Sequence, residues 1–134
     1  MCLQTAWADD YGLPESPLKG AVLVSGVYDL APLRHSCLQT QIRLDDGIIQ
    51  RNSPVFTVRP CATPIWITWG ETETSEFVRQ AHGLRDAWQA AGNRSECAPI
   101  SGAHHFAAIH GFEDPSSALC RWVARAVGIL PHAG

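Results

Sequence analysis

Carboxylate and imidazole side chains occur in two short segments of this chain, in the order acid and then base. Glu71 and Glu73 lie in the first segment, and His104 and His105 lie side by side in the second. An imidazole can take the proton of a hydroxyl nucleophile, while a neighbouring carboxylate fixes the ring tautomer and stabilises the imidazolium. The two segments therefore predict the acid and the base of nucleophilic acyl-transfer chemistry.

The serine that such a pair would activate is not recognisable in the chain. A strained turn that presents a nucleophilic serine carries the pattern G-x-S-x-G, and neither this pattern nor the oxyanion motif H-G-G occurs in the 134 residues. The nearest serines, Ser25 and Ser101, lack this pattern of flanking glycines. We therefore expect the nucleophile and the oxyanion donors to be encoded upstream of Met1.

The histidines also raise the alternative of a metal site. His104, His105 and His110 form the pattern H-H-x4-H, which matches no recognised spacing of metal ligands, so this alternative is disfavoured. A glycine-rich phosphate loop is missing from the sequence, and this absence disfavours nucleotide binding.

Three strands must position the acidic and the imidazole segments. Short apolar runs predict strands at residues 21–24 and 65–69, and a weaker strand is expected at 94–100. Helical patterns alternate with these strands, which predicts an α/β fold with about three parallel strands and flanking helices. In open sheets of this class, catalytic groups gather beyond the carboxyl ends of the strands, where both segments would lie.

The helix boundaries are predicted from apolar periodicity and capping residues. A helix is expected over residues 1–10, although nothing caps its beginning. A longer helix should begin near Ser75, with an apolar stripe formed by Phe77, Ala81, Leu84, Trp88 and Ala91. The last helix should begin with Asp114 as its N-cap and Pro115 at its first helical position.

Charge and cysteine content exclude several classes of protein. Ten basic and 13 acidic residues give a net charge of −3, which argues against binding to nucleic acid. No apolar run approaches the length of about 18 residues that a membrane span needs, so no membrane association is expected. The 5 cysteines are scattered without a C-x-x-C pair, which is typical of reduced thiols in a cytoplasmic protein.

The low content of charged residues predicts that the chain belongs to a larger apolar core. Charged residues make up 17% of the sequence, whereas about 25% is typical and a small domain should exceed that share. Three parallel strands with two apolar faces are also a poor structure in isolation. We therefore expect residues 1–134 to form a single but partial domain.

Four segments together carry a resemblance to a known family. They are Gly26-Val27-Tyr28-Asp29-Leu30, Asn52-Ser53-Pro54, Trp69-Gly70-Glu71-Thr72-Glu73-Thr74-Ser75-Glu76-Phe77-Val78-Arg79-Gln80 and Gly102-Ala103-His104-His105-Phe106. With them the chain resembles, over nearly all of its length, the C-terminal half of the kynurenine formamidase (arylformamidase) branch of the α/β-hydrolases, which belongs with the esterases that carry an H-G-G motif.

The resemblance implies a role for one residue in each of the two segments. The family histidine directly precedes a phenylalanine, which corresponds to His105. The family acid corresponds to Glu73, where many relatives have aspartate, and Glu71 remains a competitor. The implied domain is an α/β-hydrolase that lacks, within residues 1–134, the N-terminal half with the oxyanion motif and the nucleophile turn.

The implied activity is that of a serine hydrolase acting on N-formylkynurenine-like formamides or small carboxylic esters, with no metal or organic cofactor. His105 would be the general base and then the general acid, and Glu73 would orient it. The alternative is a non-catalytic interaction module or a decayed gene fragment, which the missing nucleophile favours. An unpaired edge at strand 21–24 would also favour association, so we expect a homo-oligomer.

Overall fold

The computed structural model describes residues 2–131 as one three-stranded parallel sheet with helices on its two faces. The strands are β1 (Ala21–Val24), β2 (Ile65–Gly70) and β3 (Ser95–Ile100), in the spatial order β1-β2-β3. Ala21 lies opposite Ile65, and Ile65 lies opposite Ser95. The predicted α/β class and the three parallel strands of the α/β-hydrolase fold are confirmed.

In the described part of the chain, five α-helices and four short 3₁₀ turns connect or flank these strands. The helices are α1 (Trp7–Tyr11), α2 (Gln39–Ile42), α3 (Asp46–Asn52), α4 (Ser75–Ala90) and α5 (Ala118–Ala126). The 3₁₀ turns are Cys2–Gln4, Ala31–His35, Pro54–Phe56 and Ala108–Glu113. Within residues 2–131 no helix is long and apolar enough to cross a bilayer.

The central strand β2 divides the apolar core into two parts. Every residue of β2 is buried, and successive side chains point to opposite faces of the sheet. One face packs against the predicted stripe of α4 in a cluster that includes Ile65, Ile67, Trp69, Ala81, Leu84 and Trp88. The other face brings Trp66 against Leu119 and Trp122 of α5. Burial from both sides explains why β2 is a continuous apolar run rather than an alternating one.

Two predicted helix beginnings are wrong. The N-terminal helix is a 3₁₀ turn followed by the short helix α1, and the indole N–H of Trp7 donates to the carbonyl of Cys2 at 2.9 Å across the break. The last helix begins at Ala118, because Ser117 Oγ accepts a hydrogen bond from the N–H of Cys120 at 3.1 Å. The carboxylate of Asp114 instead accepts from the Ser116 N–H at 2.8 Å and closes a turn before the helix.

Candidate active site

The loops that follow β2 and β3 meet at the carboxyl edge of the sheet. The N–H and the hydroxyl of Thr72 both donate to the carbonyl of Ala103, at 3.0 and 3.1 Å. A Cβ atom at Gly70 would lie 2.5 Å from that same carbonyl oxygen, so only glycine permits this approach of the two backbones. The acidic segment and the imidazole segment are therefore in direct backbone contact.

Glu73 is the centre of the site, and its two carboxylate oxygens have different partners. Oε1 accepts from the hydroxyl of Ser25 at 2.5 Å and from the N–H of Gly70 at 2.8 Å. Oε2 lies 3.1 Å from Nδ1 of His105. An ionised carboxylate can only accept hydrogen bonds, so a neutral His105 would carry its proton on Nδ1 and leave the Nε2 lone pair free.

The surroundings of Glu73 keep the carboxylate ionised. Burial acts to raise the pKa of the Glu73 carboxyl, but hydrogen bonds from Ser25, Gly70 and His105 stabilise the anion and bring the pKa below its ordinary value. The carboxylate is therefore the acceptor that the imidazole needs near neutral pH.

The imidazole of His105 is packed on one side and open to solvent elsewhere. The ring centroid of Phe77 lies 4.9 Å away and that of Phe106 lies 5.2 Å away. The His105 side chain is 47% exposed, whereas the Glu73 side chain is completely buried. A fixed anion behind a half-exposed imidazole is an arrangement that can move a proton to and from a reactant.

The competing acid and the competing imidazole occupy different environments. Glu71 Oε2 accepts from the N–H of Gly102 at 2.7 Å and from the hydroxyl of Ser101 at 3.0 Å, which closes the loop after β3. His104 Nδ1 accepts from the N–H of Ala107 at 3.3 Å. The structure brings Glu73 and His105 together. Glu71 instead contacts the loop after β3, and His104 contacts its own loop. The catalytic role of Glu73 and His105 stays a prediction.

Ser25, which the sequence indicates only as a possible nucleophile, is a hydrogen-bond donor to the acid. It follows the last residue of β1, and its N–H donates to the carbonyl of Thr68 at 2.8 Å. Adjacent parallel strands end at the same edge of a sheet, so a polar residue directly after β1 could have been expected beside the loop after β2. The proximity of Ser25 to the acidic segment could therefore have been predicted from the sequence.

The three histidines that could suggest a metal site each contact a different residue. His110 Nδ1 lies 2.7 Å from a carboxylate oxygen of Glu113, away from the Glu73–His105 contact in the chain. Among residues 2–131, no group of three or more His, Cys, Asp or Glu side chains is arranged to hold a metal ion.

The fold is that of an α/β-hydrolase, and solved structures of that class match most of the chain. A candidate thioesterase from Silicibacter sp. TM1040 superposes with a TM-score of 0.73 at 25% identity, covering 86% of this chain and 43% of that one. Esterase 2 of Thermogutta terrifontis, phosphoramylated by tabun, superposes with a TM-score of 0.58 at 20% identity over 93% of this chain and 47% of that one. The second likeness concerns the fold alone.

Two curated proteins similar in sequence are kynurenine formamidases. The kynurenine formamidase of Danio rerio is 26% identical over 133 residues, and that of Salmo salar is 25% identical over 134 residues. Each match covers 96% of this chain but 45% of the relative, so the chain spans about half the length of these proteins. No protein-family model matches the chain. The resemblance predicted from the sequence is thus confirmed.

Proposed function

We propose that Glu73 and His105 are the acid and the base of a hydrolase triad whose serine lies outside these 134 residues. The observation that carries this proposal is the 3.1 Å contact between the buried Glu73 carboxylate and the half-exposed His105 imidazole. In a triad the base must be oriented by a third group, and this contact supplies that orientation.

The proposed chemistry is acyl transfer to the missing serine followed by hydrolysis. Nε2 of His105 takes the hydroxyl proton as the oxygen attacks the acyl carbon, and the imidazolium then gives that proton to the leaving amine or alcohol. A water molecule attacks the acyl-enzyme with the same assistance, and the acid is released as the serine is restored. Glu73 stabilises the imidazolium in both halves of the reaction without itself being protonated.

The proposed substrates are formamides of the N-formylkynurenine type or small carboxylic esters. The name of the two curated relatives supports the formamide. The ester class rests on the resemblance of the sequence to the esterases that carry an H-G-G motif. A non-catalytic interaction module or a decayed gene fragment is the second candidate, and it is favoured by the lack of G-x-S-x-G in the 134 residues.

A fluorophosphonate probe, which labels activated serines, tests the proposal. The 134-residue chain should not be labelled. A serine must lie within about 2.6–3.2 Å of the imidazole to be activated, and the turn that would present such a serine is not encoded in these residues. If the DNA upstream of the Met1 codon encodes H-G-G and G-x-S-x-G in frame, the longer protein should be labelled and should hydrolyse aryl formamides or esters.

Paired histidine variants of that longer protein give the control. His105→Ala should abolish turnover, whereas His104→Ala should retain most of it. Stoichiometric labelling of the 134-residue chain at Ser25 or Ser101 would overturn the proposal. A stop codon directly upstream, with a ribosome site for the short chain, would favour the non-catalytic alternative.

We also propose that the chain associates through β1. Within residues 2–131, β1 pairs with β2 on one side and with no strand on the other, so its outer N–H and C=O groups form a template for association. Sedimentation at micromolar concentration should detect a dimer or larger assembly. A stable monomer with little binding of an apolar dye would contradict this proposal.

A further inference from the structure

We propose that Ser25 is a positioning residue, whose hydroxyl holds the Glu73 carboxylate in the one orientation that selects the Nδ1–H tautomer of His105. This inference rests on the proposed function for its catalytic meaning. The contact that it concerns exists in the 134-residue chain and can be measured there without catalysis.

The glutamate side chain cannot fix this orientation by itself. Rotation about the last bond of a glutamate is broad and nearly two-fold, unlike the staggered bonds that precede it. Donors to Oε1 must therefore determine where Oε2 points, and two donors are present, the hydroxyl of Ser25 and the N–H of Gly70. With Oε1 held by both, Oε2 faces Nδ1 of His105.

Ser25 and Gly70 hold the carboxylate from two neighbouring strands. Gly70 is the last residue of β2, and the hydroxyl of Ser25 reaches Oε1 from the end of β1. A single donor would leave the carboxylate free to rotate about that hydrogen bond. Two donors from separate directions define the plane of the carboxylate, which is a requirement for a directed hydrogen bond to the imidazole.

The backbone around Ser25 is itself held in place. Ser25 has a φ of 48°, in the left-handed region that few residues other than glycine adopt. Directly after it, Gly26 leaves room for the ring of Tyr28, with which a Cβ atom at that position would clash. The side-chain oxygen of Gln80, in α4, accepts from the N–H groups of Tyr28 and Asp29 at 2.9 and 2.8 Å. The backbone that carries the Ser25 hydroxyl is therefore held in position.

The direction of the hydrogen bond distinguishes this role from that of a nucleophile. Ser25 donates its proton to a carboxylate oxygen that is already shared with Gly70, and not to the imidazole. A serine nucleophile would have to give its proton to the histidine base. The Ser25 hydroxyl therefore acts on the base through Glu73.

The test is the tautomer of His105, measured by nitrogen NMR on the 134-residue chain with labelled histidine. The signal is assigned among the 6 histidines with His105→Ala. The unaltered protein should show the neutral ring protonated mainly on Nδ1. Ser25→Ala should lower the ratio of the Nδ1–H to the Nε2–H tautomer by about threefold or more, because Gly70 alone would leave the carboxylate free to rotate away from Nδ1.

Two further variants separate this role from a general effect on folding. Ser25→Gly also removes the hydroxyl but relieves the left-handed backbone, so it should fold at least as well and show the same change in tautomer ratio. Ser101→Ala removes the hydroxyl that donates to Glu71 and should leave the tautomer ratio of His105 unchanged.

The outcomes distinguish this inference from the proposed function. An unchanged ratio in both Ser25→Ala and Ser25→Gly overturns the positioning role, as does a change of equal size in Ser101→Ala. An Nε2–H tautomer in the unaltered chain contradicts the Glu73–His105 contact and therefore both proposals. If the longer protein fails to hydrolyse acyl substrates while the tautomer responds as expected, the proposed function is wrong and the positioning role stands.

Discussion

The two carboxylates of the loop after β2 are separated by one residue, yet they contact different kinds of group. Glu71 accepts from a backbone N–H and a hydroxyl of the loop after β3. Glu73 accepts from Ser25, which follows β1, and from Gly70 of β2 on one oxygen, and it faces an imidazole with the other. The pKa of each carboxyl is lowered, in Glu71 first by the Gly102 backbone and in Glu73 by hydrogen bonds that outweigh burial. A lowered pKa alone does not identify a catalytic acid, because the partner of the carboxylate decides its role.

The largest expected difference between the two carboxylates is in turnover. In the longer protein, Glu73→Gln should lower kcat by about 10³-fold or more, because an amide cannot stabilise the imidazolium and can favour the wrong tautomer. Glu71→Gln should lower kcat by less than about tenfold, since it weakens a loop contact rather than the orientation of the base. Initial rates with an aryl ester or formamide measure both changes.

Equal losses from the two glutamine variants would overturn the choice of Glu73 as the acid. A larger loss in Glu71→Gln would assign the acid to Glu71. The amide preserves the size of the side chain in both variants, so the pair is matched in packing and differs in which carboxylate loses its charge.

A smaller difference is expected in the pH dependence of stability. The folded-state pKa of each carboxyl lies below its ordinary value of 4.5, so each anion stabilises the native state above about that pH. This contribution is lost as the pH falls through the folded-state pKa. Urea unfolding from pH 7 to pH 3 should therefore show a declining free energy of unfolding.

The two glutamine variants measure how much each carboxyl contributes to this pH dependence. In each variant the free energy of unfolding should decline less steeply as the pH falls. The decline should be less steep in Glu73→Gln than in Glu71→Gln, because the buried Glu73 is less screened by solvent. Glu76 and Asp114 also have lowered pKa values and should keep part of the slope in both variants. Profiles parallel to that of the unaltered chain would show that neither carboxyl contributes.

Most of the fold could be predicted because the patterns that carry it are strong and local. The apolar run of β2 and the stripe of α4 indicate burial directly, and both are found where they were predicted. The beginning of the last helix was missed because Asp114 and Ser117 can both act as caps, and the sequence does not show which one the chain uses. In the structure Ser117 caps the helix, and the carboxylate of Asp114 accepts a hydrogen bond from the N–H of Ser116.

The candidate site could be predicted only in part, because the residue types of Glu73 and His105 are visible in the sequence but the direction of each side chain is not. Placing Glu73 and His105 in neighbouring loops needs only the strand order, whereas separating Glu73 from Glu71 needed the resemblance to a family. The role of Ser25 depends on a single φ angle and on the rotation of one carboxylate. Neither quantity has a signature in residue types or spacing.

Because Gly70 has no side chain, the loops that carry Glu73 and His105 are linked through their backbones. With the backbones of the two loops in contact at Ala103, a shift of one loop is transmitted to the other instead of being absorbed by flexible side chains. We therefore expect Glu73 and His105 to shift together. In the proposed triad, this coupling would leave little reorganisation of the acid and the base when a reactant arrives beside His105.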